Sequence, residues 1–515
     1  MQDEPDTDLP DLTRGVPSAR LAEGGLLTGR VGEEKVIVWR RGRDVAAYAA
    51  ACPHLGGPLD EGLLEDGVVA CPWHHACFDL RTGAAVAAPA FDALRRYPVA
   101  ESRGVIVVTA PTGASNEPAA PALPSASRPD GPMAIIGGGA AGFAAADALR
   151  RNGWRGRIAM FSSDADEPYD RTLLTKDYLD GSFGDDRLPI ARHGVEALGI
   201  AFEPNVRVES IDVPGRLVRL EDGRSEAYAR LLLATGAEPR RPGLPGEGLP
   251  HVHLLRSLAD CRRILADART ARHVVVLGGS FIGMEAAASL RSRGLAIDLV
   301  APDSHPMEKI FGRALSDLVV DTYRRNGVTL HLGRKATAIA GDAITLDDGT
   351  TLPADLVVIG IGVEPRIELA ESAGLAVDEG VLVDAHLRTS APGIYAAGDI
   401  CRWPDPHSGE AIRVEHWVVA ERQGQAAAAN MLGADRPFAM VPFFWTKHFD
   451  LAIRYVGHAE RWDELVVEGD LSKRHALIRY RREGRDLAVA TVGRDLDSLR
   501  EERKMALAHA PSPWT

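Results

Sequence analysis

Cysteine is scarce. The 515-residue chain holds five, too few for a disulfide framework at this length. A cationic surplus is missing too: 59 Lys and Arg against 72 Asp and Glu leave a formal charge of −13. That balance argues against a broad nucleic-acid or anionic-membrane surface, which runs on clustered Lys and Arg. No long apolar run is present either. The most apolar window, HVVVLGGSFIGMEAAASL, is interrupted by Gly-Gly-Ser and carries Glu285, so it reads as a buried strand, a loop and a helix rather than a membrane span. The opening MQDEPDTDLPDL is acidic and lacks the basic start and apolar core of a signal peptide. The expectation is a cytoplasmic protein with a frayed N-terminal tail.

What is present belongs to an ordinary globular chain, with 45% apolar and 25% charged residues. The length points to three or four domains. Residues 14–109 read as short strands, with KVIVWRRGRDVAAYAAAC as a hairpin turning at RGRD. APTGASNEPAAPALPSASRPDG has the composition of a semi-extended linker that leaves the β domain free to move. Beyond it, strand and helix alternate, and one unit occurs twice: MAIIGGGAAGFAAADALRRNGWRGRIAMFS and VVVLGGSFIGMEAAASLRSRGLAIDLVAP each run strand, Gly-rich turn, Ala-rich helix, strand. Two nucleotide-binding units are implied. From about Val441 the pattern returns to strands, as expected of a small closing α+β domain.

Three cysteines crowd into CPHLGGPLDEGLLEDGVVACPWHHACFDLRTG. Cys52-Pro-His54 is followed, after a turn-rich spacer, by Cys71-Pro-Trp-His74. Two Cys and two His satisfy tetrahedral zinc. Zinc fingers, however, commonly pair Cys with Cys and His with His along the chain. Here each loop offers one of each, which suits a [2Fe–2S] cluster with two thiolates on one iron and two imidazoles on the other. Zinc stays as the alternative. Cys77, Cys261 and Cys401 read as structural thiols.

CPHLGG together with CPWHHACFDLRTG resembles the Rieske family over most of residues 14–109. The resemblance implies Cys52 and Cys71 on the inner iron and His54 and His74 on the outer one. Respiratory-chain members add a disulfide between the loops and Ser and Tyr hydroxyls near the cluster. Here Gly57 and Trp73 occupy the disulfide positions, and Ala76 and Phe78 those of the hydroxyls. With fewer hydrogen bonds to stabilise the reduced cluster, a low-potential centre is expected. His75 stands where most relatives have Gly; the expected role is surface or packing, with partner contact or pH tuning as the alternative.

Gly137, Gly139 and Gly142 form a GxGxxG turn that follows MAII and opens a helix, where backbone N–H groups meet a pyrophosphate. Asp164, expected at the end of the next strand, suits ribose hydroxyls. Gly236 in LLLATGAEP and Gly398-Asp399 in TSAPGIYAAGDI look like further FAD signatures of two-dinucleotide-domain flavoprotein reductases; the resemblance puts the Asp on the ribityl chain. The second turn, Gly278-Gly-Ser280-Phe-Ile-Gly283, puts Ser at the middle Gly position, and Ala301 closes the following strand where NADH-preferring relatives carry an acid. NADH and NADPH both remain open, with a lean to NADH.

EPYDRTLLTKDYL resembles the PYDRPxLSK segment of flavin-dependent ferredoxin reductases. The resemblance implies that Arg171 helps hold FAD, that Lys176 lies beside the isoalloxazine paired with Glu285, and that Trp417 covers the flavin. No Cys-x-x-Cys or Cys-x-x-x-x-Cys lies near the flavin segment, so disulfide reductase chemistry is not expected. CPWH, EPYDR, FIGMEAA, EHWVVAERQGQ and VPFFWT together resemble the apoptosis-inducing-factor-like proteins with an N-terminal Rieske domain. The expected fold is multidomain, an all-β Rieske domain, an α/β two-dinucleotide-binding flavoprotein and a C-terminal α+β domain. The boundaries expected are a disordered tail over 1–13, the Rieske domain at 14–109, a linker at 110–131, the FAD domain at 132–245 with 366–438, the NAD(P) domain at 246–365 and the C-terminal domain at 439–515. The implied route is NAD(P)H to FAD to [2Fe–2S] to an external one-electron acceptor such as an oxygenase, a cytochrome or another carrier. The alternative is a redox-responsive binding protein with slow turnover. The oligomeric state stays open, with a homodimer among the alternatives; neither nucleic acid nor membrane is expected as a partner.

Overall fold

The structure, a computed structural model, describes residues 9–111, 130–192 and 194–509. Most of the expected linker and the first eight residues of the expected tail lie outside the described residues. The chain divides into two compact units. The first comprises Met1–Pro124, Arg151–Gly153 and Asp495–Thr515, and the second Ser125–Arg150 and Trp154–Arg494.

Short antiparallel sheets build the first unit. One pairs Leu26–Val31, Glu34–Arg41, Asp44–Ala49 and Arg96–Tyr97 in that order; another pairs Leu63–Glu65, Val68–Ala70, Cys77–Asp79 and Ala85–Ala87. The expected hairpin forms with Arg41 opposite Asp44 and Gly42 at a φ of 60°, the tight turn that positive φ favours. Strand Glu34–Arg41 is buried on both faces. Ile37 and Trp39 pack with Cys52, Cys71, Ala76 and Phe78, while Val36 and Val38 pack with Leu12, Val16 and Ile106. The cysteine loops therefore rest on a full hydrophobic layer. Leu12, expected in a frayed tail, is wholly buried instead, because the apolar face of that strand needs a cover. The helix Asp495–Leu507 belongs to this unit and buries Ser498, Leu499, Glu502 and Ala506, a helical stripe with a carboxylate in it.

The second unit repeats one design. Five parallel strands run in the order Ala201–Glu203, Ile158–Phe161, Met133–Ile136, Arg230–Leu233, Ile394–Ala396, and five more in the order Val252–Leu254, Leu356–Ile359, His273–Leu277, Ala296–Ala301, Thr329–Leu332. The central strands MAII and HVVVL are buried along nearly their whole length, as strands covered on both faces must be. Each central strand runs through its Gly turn into a helix, Ala140–Arg151 or Phe281–Ser292. The closing sheet is antiparallel, in the order Phe443–His448, Leu451–Gly457, Arg485–Val492, His475–Arg482, Glu464–Asp470. Among the described residues, no helix is long and apolar enough to cross a membrane.

Candidate cluster and flavin sites

The two cysteine loops share one backbone plan. Cys52 N–H donates to Gly57 O and Gly56 N–H to Cys52 O, both at 2.8 Å; Cys71 N–H donates to Ala76 O at 2.8 Å and His75 N–H to Cys71 O at 3.0 Å. Each loop thus presents a buried cysteine at its base and a part-exposed histidine at its tip. His54 and His74 meet with their Nδ1 atoms 3.2 Å apart and their rings nearly perpendicular.

This donor set fits a two-iron cluster. The donors come as a thiol pair and an imidazole pair. The Cys52 thiol is held well above its usual range by the neighbouring Cys71 sulfur and by burial, against backbone N–H groups of His54 and Leu55 that favour the thiolate; a bound metal cation would relieve that repulsion. A side chain at Gly57 would reach within 2.6 Å of Cys71 Sγ and 3.2 Å of the Trp73 ring, so the absent Cβ keeps the thiol face open.

Of the two roles expected for His75, surface and packing, the buried one holds. It occupies the position that Gly56 holds in the other loop, with φ of 61° against 84°, a left-handed conformation that costs a non-glycine residue about 1–2 kcal/mol. Its ring is fully buried and its Nδ1 is hydrogen-bonded to Glu502 of the C-terminal helix.

The first dinucleotide turn is shaped by what its glycines avoid. A Cβ on Gly137 would sit 2.0 Å from Ala234 O and one on Gly142 1.9 Å from Gly137 O, yet Gly139 faces nothing within 4 Å. Strand and helix close tightly around the turn while its middle stays open for a pyrophosphate. Asp164 lies beyond the strand, which ends at Phe161. Its Oδ2 accepts from the Tyr169 hydroxyl at 2.7 Å and from Arg171 at 3.3 Å. Asp399 accepts from Arg256 at 2.7 Å, and Gly398 N–H donates to Gln423 Oε1 at 2.8 Å. Burial and the neighbouring Arg256 disfavour the charge of Arg171, an arrangement that suits a polyanion. Gly236, at a φ of 69°, lies against Arg256. In the second turn Ser280 keeps an ordinary φ of −84° and its hydroxyl donates to Gly360 O at 2.6 Å, which absorbs the departure from glycine.

Lys176 and Glu285, from separate motifs, meet at 2.6 Å with both side chains buried. Thr175 donates to Glu285 Oε2 and Thr446 to Oε1, each at 2.6 Å. Burial alone would push the Glu285 carboxyl up; the Lys176 ammonium and these hydrogen bonds outweigh it and hold it below its usual range. Sequence reasoning missed the continuation. Thr446 Oγ1 lies 3.1 Å from His448 Nε2, and the Tyr323 hydroxyl 2.8 Å from His448 Nδ1. Trp417 opens the helix Trp417–Met431 and hydrogen-bonds the Glu421 carboxyl one turn on, which burial and Asp170 push well above its usual range. His416 stacks on Phe444 at 3.9 Å, and Phe281 meets Phe444 edge-on at 5.2 Å. The quoted EHW and VPFFWT segments contain these residues, but nothing in their spacing announces the contacts.

Burial lowers His448 from 6.5 to about 4, with Glu285 opposing. The unfolded chain therefore takes up a proton that the native one refuses, and stability falls as pH drops from about 6.5 towards 4. His448→Asn flattens that acid limb by about one proton, read as the thermal midpoint against pH.

The pyridine nucleotide-disulphide oxidoreductase family matches residues 131–424. The chain belongs to that family. To this oxidoreductase core are joined a match to the Rieske [2Fe-2S] domain at residues 14–98 and one to the reductase C-terminal domain at 443–513. Apoptosis-inducing factor 3 of Mus musculus is 30% identical over 92% of this chain and 80% of its own length. The ferredoxin–NAD(+) reductase component of the anthranilate 1,2-dioxygenase system of Burkholderia cepacia is 35% identical over 74% of this chain and 96% of its own. Among solved structures, a ferredoxin reductase from Rhodopseudomonas palustris superposes with a TM-score of 0.70 at 33% identity, covering 74% of this chain and 96% of that one. The oxidoreductase thus uses FAD and NAD(P)H and carries a Rieske-type [2Fe–2S] domain, and it moves electrons from the nicotinamide to an iron-sulfur centre and an external carrier.

Proposed function

We propose that this chain feeds single electrons to a soluble acceptor protein, a ferredoxin-like carrier or an oxygenase component, in a reducing cytoplasmic compartment that keeps its five buried cysteines as thiols. The observation that carries the reading is the junction of an imidazole pair and a thiol pair in the domain fused to a flavoprotein core. Bound flavin supplies conversion between the two-electron chemistry of the nicotinamide and the one-electron chemistry of iron and sulfur.

The chain's residues divide that work. Gly137, Gly139 and Gly142, with Arg171, Gly236, Gly398 and Asp399, hold FAD, and Gly278, Ser280 and Gly283 hold the nicotinamide nucleotide. Asp164 orients Arg171 through its own carboxylate. Lys176 would supply the buried ammonium that stabilises reduced flavin, Glu285 fixes that ammonium, and Trp417 would shield the ring from water. Cys52 and Cys71 hold the inner iron and His54 and His74 the outer one. Ala76 and Phe78, both fully buried, offer no hydroxyl to the cluster, which favours a low potential. Trp73 stands 36% exposed beside His74, on the side where an acceptor would dock.

The test is an anaerobic titration of the purified protein with NADH and then NADPH, following flavin bleaching optically and the cluster by low-temperature electron paramagnetic resonance. Flavin reduction followed by growth of a Rieske-type signal is expected. Flavin reduction with an intact cluster that stays oxidised would refute the relay.

A further inference from the structure

The second cysteine loop is held by the far end of the chain. In the first loop the residue before Gly57 is a glycine in a left-handed conformation; in the second the equivalent residue is His75, which adopts the same conformation with a side chain attached. That side chain is fully buried and its Nδ1 is bonded to Oε2 of Glu502, 427 residues further on. Glu502 lies on the buried stripe of the helix Asp495–Leu507. The next residue, Arg503, makes a two-pronged contact with Glu65, with Nη2 2.8 Å from Oε1. Glu65 ends the strand Leu63–Glu65, which pairs with Val68–Ala70, the strand that runs into Cys71. One helix thus grips the loop twice, ahead of Cys71 through Glu65 and behind His74 through His75.

We propose that Glu502 is a positioning residue for the iron-sulfur centre: by accepting the His75 hydrogen bond it holds the loop that carries Cys71 and His74 in the geometry the cluster needs. This rests on the ligand assignment above. Groups that orient metal ligands from behind tune both retention and spectrum of the metal. The role requires an acceptor at that place rather than a titrating group. It makes cluster retention depend on a helix that shares no strand pairing with the cysteine loops.

Full-length Glu502→Leu, Glu502→Gln and His75→Gly proteins test the proposal; glycine accepts the backbone conformation of residue 75 without strain but removes the buried ring with the tie, whereas Glu502→Leu cuts the tie and leaves that ring in place. FAD content reports whether each variant has folded. Loss of iron to a chelator and the g-values of the reduced cluster report the loop. The Leu and Gly variants are expected to keep FAD, to lose iron about tenfold faster and to shift their g-values, while the Gln variant, which keeps an acceptor, stays close to the unsubstituted protein. A Gly variant as retentive and spectrally unchanged as the unsubstituted protein overturns the proposal, and so does a Gln variant as labile as the Leu one. An unsubstituted protein that gives no Rieske-type spectrum overturns the ligand assignment and the clamp with it.

Discussion

Cys71→Ala is expected to abolish electron delivery to a one-electron protein acceptor, by at least about a hundredfold, while leaving FAD in place. Cys71 is 1% exposed and shares its thiol environment with Cys52; alanine removes the ligand without adding bulk. The flavin side does not depend on it. Both dinucleotide sheets, the Lys176–Glu285 pair and the Trp417 helix lie in the second unit, whereas Cys71 lies in the first. The variant should therefore still oxidise NAD(P)H with a small acceptor such as ferricyanide, which can draw electrons from flavin directly. Parallel turnover assays with ferricyanide and with a protein acceptor read the split. Equal rates for variant and unsubstituted protein with the protein acceptor would show that electrons leave from the flavin and bypass the cluster.

The second large effect concerns the buried pair. Glu285→Leu strands the Lys176 ammonium among buried neighbours, and removing one partner of such a pair typically costs about 3–5 kcal/mol. The hydroxyls of Thr175 and Thr446 also lose their acceptor, at about 1 kcal/mol each. Adding Lys176→Met removes the stranded charge, so the double variant should regain most of the stability lost to the charge but not the part lost by the hydroxyls. Flavin reduction should stay slow in both, by about a hundredfold or more: in the double variant no cation opposes charge developing at the ring, and in the single variant the ammonium has lost the carboxylate that fixes its position. Thermal unfolding and stopped-flow reduction by NADH separate the two effects. A double variant as unstable as the single one would mean that charge burial is not what holds this region together.

The parts of the site legible in the sequence are those written within one stretch of chain. A strand, a glycine turn and a helix are contiguous, so the two dinucleotide units announced themselves, and the cysteine loops did so through their paired Cys and His. What sequence alone did not show is built by separation. Thr446 reaches Glu285 across 161 residues, from a sheet whose apolar alternation describes only its own faces. Asp164 was expected at a strand end, but the strand stops at Phe161, and the acid turns to Tyr169 and Arg171. Ser280 stood where the middle glycine of the second turn was expected, and its hydroxyl is spent on Gly360 O. A packing role for His75 was among the expectations, but its partner Glu502 was not, because a lone histidine carries no mark of a carboxylate 427 positions away.

That last pairing also sets an order of events during synthesis. A ribosome adds roughly 5–20 residues per second, so the 427 residues between His75 and Glu502 take roughly 20–90 s to translate at that rate. Throughout that interval the nascent cysteine loop has its backbone and its hydrophobic floor but not the helix that covers His75. The tie between His75 and Glu502 therefore cannot form before Glu502 is made, so the cysteine loop gains this support only after the flavoprotein core has been synthesised.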